Sequence, residues 1–152
     1  MKKFFFACLT LSVIFMILGC SGNHLKVKAD NTLALGGCYP LPNCVSSSTL
    51  ILYNRTSKFV LAEPAEDAWP KIKQVVRAMP RTEIGEENDV YIHAKCRSRV
   101  FRFVDNLELL LHPERETVSV RSSSVIAIFD FFVNRWRIHK LRNQLNELKI
   151  LE

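Results

Sequence analysis

Glycine is scarce, at 5 residues in 152, and that scarcity closes off several kinds of chemistry. Loops that cradle nucleotide phosphates are built from closely spaced glycines, and the chain has no such cluster. Serines are plentiful, but none lies in a Gly-x-Ser-x-Gly elbow or begins a Ser-x-x-Lys motif, so the familiar serine-hydrolase frameworks are excluded. His24, His93, His112 and His139 show neither His-x3-His nor His-Glu-x-x-His spacing, and no Cys-x2-Cys pair accompanies them. No metal site and no cofactor is therefore expected. Long apolar runs are missing too. The uncharged stretch Phe4–Leu18 falls short of the ~20 residues a stable membrane-spanning helix needs. What is present has globular proportions: hydrophobic residues make up 48% and charged residues 24%. Collagen, wholesale disorder and a multi-span membrane protein fit these figures poorly. The length suits one domain, without separate cofactor and substrate lobes.

The first residues carry an address. Lys2 and Lys3 precede the apolar stretch, and Ile17-Leu18-Gly19-Cys20 closes it. A basic start, an apolar run and a small residue at the cleavage point are the grammar of a secretory signal. The tetrapeptide resembles a bacterial lipobox, in which the cysteine thiol is acylated and becomes the mature amino terminus. Residues 1–19 are then a lipoprotein signal peptide, and Cys20 is the lipidation site. Anchoring by several acyl chains, at ~0.8 kcal/mol per buried methylene, is effectively permanent. Ser21 is not the aspartate that resembles an inner-membrane retention signal, which favours the outer membrane in a Gram-negative cell. Lys+Arg outnumber Asp+Glu by 21 to 15, and losing Lys2 and Lys3 lowers the net charge from +6 to +4.

Residues 20–37 lack sustained periodicity and end in Gly36-Gly37, which reads as a lipidated tether leading to one small domain, 38–152. Cys38 and Cys44 flank two prolines and are candidates for a small disulfide loop in an oxidising compartment. With Cys96 as a third thiol, spacing alone does not fix the pairing.

Within the domain, Trp69, Ile72, Val75, Val76 and Met79 recur at helical spacing, with Pro70 near the first turn and Pro80 as the stop. Alternation follows. Val90, Ile92, Ala94 and Cys96 share one strand face, which leaves Tyr91, His93 and Lys95 on the other. Leu107, Leu109 and Leu111 share another parity, and residues 117–121 alternate again after a turn at 112–115. Ile138, Leu141, Leu145 and Leu148 mark an amphipathic last helix. The expected fold class is α+β: an antiparallel β-meander of three to four strands, packed by one helix before and one amphipathic helix after it.

Pro42-Asn43-Cys44-Val45-Ser46-Ser47, Phe101-x-Phe-Val-Asp105, Val120-Arg121-Ser122-Ser123-Ser124 and Asp130-x2-Val133-Asn134-Arg135-x-Arg137 occur in that order. Together they resemble the family called domain of unknown function 1499, over roughly residues 38–145. The resemblance implies a small α+β domain, often in bacterial envelope or membrane-associated proteins, with no established activity to carry over. The chain departs from the family pattern at Asn106, Val125, Ala127 and Phe129.

The polar residues of these motifs yield a candidate anion-binding group: Arg121, Ser122, Ser124, Asp130, Asn134 and Arg135. A planar guanidinium at a strand end, two hydroxyls on one strand face and the start of a helix suit a carboxylate or phosphate. The same residues also suit an internal network in which Arg121 pairs with Asp105 or Asp130, and Asp130 caps the last helix. Two basic clusters, Lys95/Arg97/Arg99/Arg102 and Arg135/Arg137/Lys140/Arg142 with Trp136 among them, would suggest nucleic acid in a cytosolic protein. Export removes that partner and leaves anionic lipid headgroups or an envelope protein, besides the membrane reached through lipidated Cys20. The expected function is a lipid-anchored, periplasm-facing envelope protein acting as a non-catalytic binding or structural module, with no catalytic residues assigned. The alternative is a periplasmic enzyme that acts on an anionic envelope substrate through Arg121, Asp130 and a serine.

Overall fold

The computed structural model describes residues 25–27, 32–99, 102–125 and 132–152; residues 1–19, Cys20 and Asp130 lie outside them. Eight strands occur among these residues: β1 (Leu25–Val27), β2 (Leu33–Leu35), β3 (Cys44–Ser46), β4 (Phe59–Val60), β5 (Thr82–Glu87), β6 (Tyr91–Arg97), β7 (Val104–His112) and β8 (Thr117–Ser124). Helix α1 (Ala65–Ala78) precedes β5, and α2 (Val133–Glu147) follows β8. The class is α+β with an antiparallel sheet and two helices, but three to four strands is an undercount. β5 to β8 form the expected meander, and β3 and β4 extend it into a six-stranded sheet of order β3-β8-β7-β6-β5. β3 and β4 divide the outer edge of β8, with Cys44 opposite Ser123 and Phe59 opposite Val118. β1 and β2 make a separate antiparallel pair. Strands of two or three residues are too short to carry a period, so alternation in sequence does not reveal them.

Both helices lie on one face of the sheet, where they close the main core. Trp69, Ile72 and Val76 of α1 meet Ile92, Ala94 and Cys96 of β6, Leu107, Leu109 and Leu111 of β7, and Ile138, Leu141 and Leu145 of α2. In α1, Glu66 and Asp67 sit in the first turn and Arg77 in the last, so the charges complement the helix dipole. Pro70 falls inside α1, just past the first turn and on the exposed side. Leu148 departs from its expected place in the apolar stripe and is exposed. The reason is that α2 stops at Glu147 and Lys149 turns with a φ of 57°, so Ile150 and Leu151 fill the core instead.

The opposite face is covered as well. Leu35 of β2 packs with Tyr91 and Leu110 in a second, smaller apolar cluster. Tyr91, on the strand face opposite Ile92, Ala94 and Cys96, is fully buried because β1 and β2 lie over it. That covering pair comes from the segment expected to be a tether. Cys38 and Cys44 are joined by a disulfide with a Cα–Cα distance of 5.7 Å, and Cys96 is a buried free thiol.

Candidate functional site: a cationic cavity beside the last helix

Of the candidate anion-binding group, the five described residues, Arg121, Ser122, Ser124, Asn134 and Arg135, do not all converge, and Asp130 lies outside the described residues. In β8 side chains alternate, so Ser122 and Ser124 face the helices with Val118 and Val120, while Arg121 and Ser123 face the β1–β2 pair. Arg121 Nη1 donates to Glu108 Oε2 at 2.7 Å and to Ser123 Oγ at 2.8 Å, and Tyr91 Oη donates to Glu108 Oε1 at 2.9 Å. The carboxylate that holds Arg121 is thus Glu108, directly opposite it in the β7–β8 ladder, and not Asp105, which pairs with Arg137; the expected Asp130 pairing lies outside the described residues. Arg121 Nε is buried without a hydrogen-bond partner among the described residues. Glu108 was not singled out from sequence; its parity, opposite to that of Leu107 and Leu109, was the available signal.

Ser122, Ser124 and Asn134 do come together, in a closed network. Arg137 of α2 donates to Asp105 Oδ2 at 2.6 Å, to Ser122 Oγ at 2.9 Å and to Asn134 Oδ1 at 2.7 Å. Ser122 Oγ donates to Asn134 Oδ1 at 2.6 Å, and Asn134 Nδ2 donates to Ser124 Oγ and to the Asn43 carbonyl at 3.0 Å each. All of these side chains are buried, and the network pins the start of α2 to β7, β8 and the Asn43 loop. Arg135 stands apart: its guanidinium donates to the carbonyls of Tyr53 and Arg55. Arg142 likewise holds the carbonyls of Ser57 and Lys58 and stacks over Phe59 at 4.5 Å. Two of the four cations of the last helix therefore hold a loop.

The other two reach a cavity of about 650 Å³ between the first turns of α2, the α1–β5 junction and the end of β6. Its size lies within the ~300–1,000 Å³ of small-molecule sites. Arg97 and Arg99 of the first basic cluster and Arg137 and Lys140 of the second line it, joined by Arg81, so groups 38 residues or more apart in sequence meet around one cavity. No acidic side chain lines it among the described residues. Glu83 approaches Arg97 at 4.0 Å and Asp105 is committed to Arg137, whereas Arg81, Arg99 and Lys140 have no carboxylate partner among the described residues. Lys140 Nζ instead sits 5.2 Å from the centre of the exposed Trp136 ring. Its less exposed lining includes half-buried Met79, Thr82 and Val133 and buried Cys96. Burial pushes the Cys96 thiol above its ordinary value, the nearby Arg137 charge opposing this only in part, so the sulfur is neutral and apolar in character. The first turn of α2 contributes Val133 and Trp136, which brings the positive end of the helix dipole to the same cavity.

One serine–histidine contact stands outside both networks. His112 Nε2 lies 2.9 Å from Ser119 Oγ, beside a second cavity of about 360 Å³ whose wall includes Lys58 and Arg115. Ser119 is 2% exposed in the middle of β8, unlike a nucleophile lifted onto a strand-to-helix turn. Among the described residues no group of His, Cys, Asp and Glu side chains is placed to hold a metal ion.

The arrangement defines a class first: an antiparallel sheet covered on one face by two helices, with a cationic cavity where the second helix begins. A family model described as a protein of unknown function, DUF1499, matches residues 34–145, and the chain belongs to that family. No curated protein and no solved structure matches the chain. The match begins within β2, so the strand that covers Tyr91 falls partly inside the family domain.

Proposed function

We propose that this protein is exported, anchored by lipid on Cys20, and uses its domain as a non-catalytic module that binds an anionic group from the cell envelope. The cavity carries this reading. Arg81, Arg99 and Lys140 face it with no carboxylate among its described lining, and cations gathered without counter-charge are stabilised by a bound anion. The Cys38–Cys44 disulfide supports an oxidising compartment, and the lipobox-like Ile17–Cys20 supports the anchor. Mass spectrometry of the mature amino terminus tests the anchor: acylated Cys20 is expected, and a retained Met1 overturns it. Titration with inorganic phosphate and with acetate tests the module: weak, saturable binding lost in Arg99→Gln/Lys140→Gln is expected, and its absence for every anion overturns the reading.

The second reading, an enzyme acting on an anionic envelope substrate, draws on the His112–Ser119 contact beside Lys58 and Arg115. Arg121 is held by Glu108, and Asp130 lies outside the described residues, so this reading rests on the His112–Ser119 contact instead. Labelling by a serine-directed phosphonate that disappears in Ser119→Ala would favour the enzyme; an unlabelled protein favours the binding module.

A further inference from the structure

The cavity beside α2 has two chemistries in its lining. Arg81, Arg97, Arg99 and Lys140 line it as exposed side chains, whereas Met79 and Val133 are half-buried and Cys96 buried, with the exposed Trp136 beside them. Cys96 is 3% exposed and Trp136 64%, so the wall runs from the apolar core out to solvent. A small hydrated anion would use only the cations. An apolar solute would leave the cations without a counter-charge. Both surfaces are satisfied together by one kind of molecule.

We infer that the cavity takes a single-chain anionic amphiphile, with its carboxylate or phosphate head among Arg97, Arg99 and Lys140 and its tail on Met79, Cys96 and Val133. The inference rests on the binding-module reading and gives that module a ligand class. Charge complementarity selects the head. Volume selects one chain: 650 Å³ is roughly twenty water-sized volumes at ~30 Å³ each, room for a short acyl chain and its head but not for a two-chain phospholipid. The ring of Trp136 gives the tail a flat apolar wall, and Lys140 above that ring stays within reach of the head.

The test uses the full chain carrying Cys20→Ser, so that no acyl group of its own is attached, and follows tryptophan emission. Trp69 is buried in the core and Trp136 lies at the cavity, so Trp136→Phe serves as the blank. Hexanoate, octanoate and decanoate are titrated below their aggregation thresholds, beside decanol and inorganic phosphate. A saturable blue shift is expected, tightening about fourfold per added methylene until the cavity is full. Decanol is expected to bind at least about tenfold more weakly than decanoate. Arg99→Gln/Lys140→Gln should reduce decanoate affinity by a similar factor and leave decanol unchanged, with an unaltered far-ultraviolet spectrum certifying the fold. Affinity independent of chain length overturns the amphiphile while leaving an anion-binding module in place. No binding by any anion, phosphate included, overturns both. Lysophosphatidate presented in zwitterionic vesicles, compared with decanoate in solution, distinguishes a membrane source from a dissolved one: binding of either supports the inference, and binding of neither overturns it.

Discussion

The two faces of the sheet solve the same problem in different ways. Each buries an arginine–carboxylate pair, Arg137–Asp105 at 2.6 Å under α2 and Arg121–Glu108 at 2.7 Å under the β1–β2 pair. On the helix face the pair belongs to a network of Ser122, Ser124 and Asn134 and joins three separate elements. On the hairpin face it links two neighbouring strands already held in register by their ladder, with Tyr91 and Ser123 closing it. The helix-face network also forms the inner wall of the cavity through Arg137. Buried charge here serves two ends: on one face it shapes the wall of a cavity, and on the other it fills a covered patch.

The largest expected effects separate the faces most sharply. Asp105→Ala and Glu108→Ala should each lower stability by about 3–5 kcal/mol in urea unfolding, because each leaves a buried guanidinium uncompensated. The repair should differ. Glu108→Leu with Arg121→Met, combined with Tyr91→Phe to remove the hydroxyl that would lose its acceptor, is expected to recover most of the loss. Asp105→Leu with Arg137→Met should not, because Ser122 and Asn134 lose their donor. Equal recovery on both faces would erase the distinction drawn above.

Apolar packing should follow the same order. Leu141→Ala, inside the large helix-face cluster, is expected to lose about 2–5 kcal/mol. Leu35→Ala should lose less, since its cluster has two other fully buried members and the short β1–β2 pair can shift to fill the space. Comparing the two midpoints in one denaturant series decides it.

Alkaline pH gives a milder contrast. On the hairpin face burial, and next the charge of Glu108, raises the Tyr91 phenol above its ordinary 10.0. On the helix face burial raises the Cys96 thiol above 9.0. In both cases the unfolded group ionises first. The stability each contributes is intact below its ordinary value and is lost as the pH climbs past it. Stability should begin to fall near pH 9 and fall more steeply above pH 10. Cys96→Val is expected to remove the first phase and Tyr91→Phe the second, as read from thermal midpoints across a pH series.

The smallest effect concerns the cavity alone. Arg81 holds a φ of 58°, a left-handed conformation in which glycine is at ease and arginine is not. Arg81→Gly should raise stability by up to ~1 kcal/mol while weakening anion binding, since it removes one cation of the lining. A variant that gains both would show that Arg81 has no part in the site.

Much of the fold was open to a reading of periodicity. Trp69, Ile72 and Val76 at helical spacing and Ile92, Ala94 and Cys96 at strand spacing sit where their patterns put them, because each repeats often enough to define a face. The burial of Tyr91 and the choice of Glu108 as partner of Arg121 were not legible, for a different reason. Their side of the sheet is covered by three-residue strands, whose sequences Leu-Lys-Val and Leu-Ala-Leu carry no period. The pairing of Arg121 was half available: Asp105 shares the parity of Leu107 and Leu109, and Arg121 opposes that of Val120, so those two could not meet through the sheet. The cavity was present only as two separate basic clusters. Nothing in linear spacing says that Arg99 and Lys140 share a cavity; the packing of α2 against the end of β6 decides that.

The β1–β2 pair also sets a length. A free tether from Cys20 to Gly37 would let the domain range about 60 Å from its anchor at ~3.5 Å per residue. With Leu25 already seated in a strand, only the stretch from Cys20 to Leu25 is left to span, at most ~18 Å. Under the proposed anchor the domain then works at the bilayer surface, where any amphiphile leaving the membrane is met at high local concentration. A flexible Gly/Ser insertion between Asn23 and His24 should slow the uptake of vesicle-borne ligand without changing affinity in solution; unchanged uptake would mean that reach is not what governs the encounter.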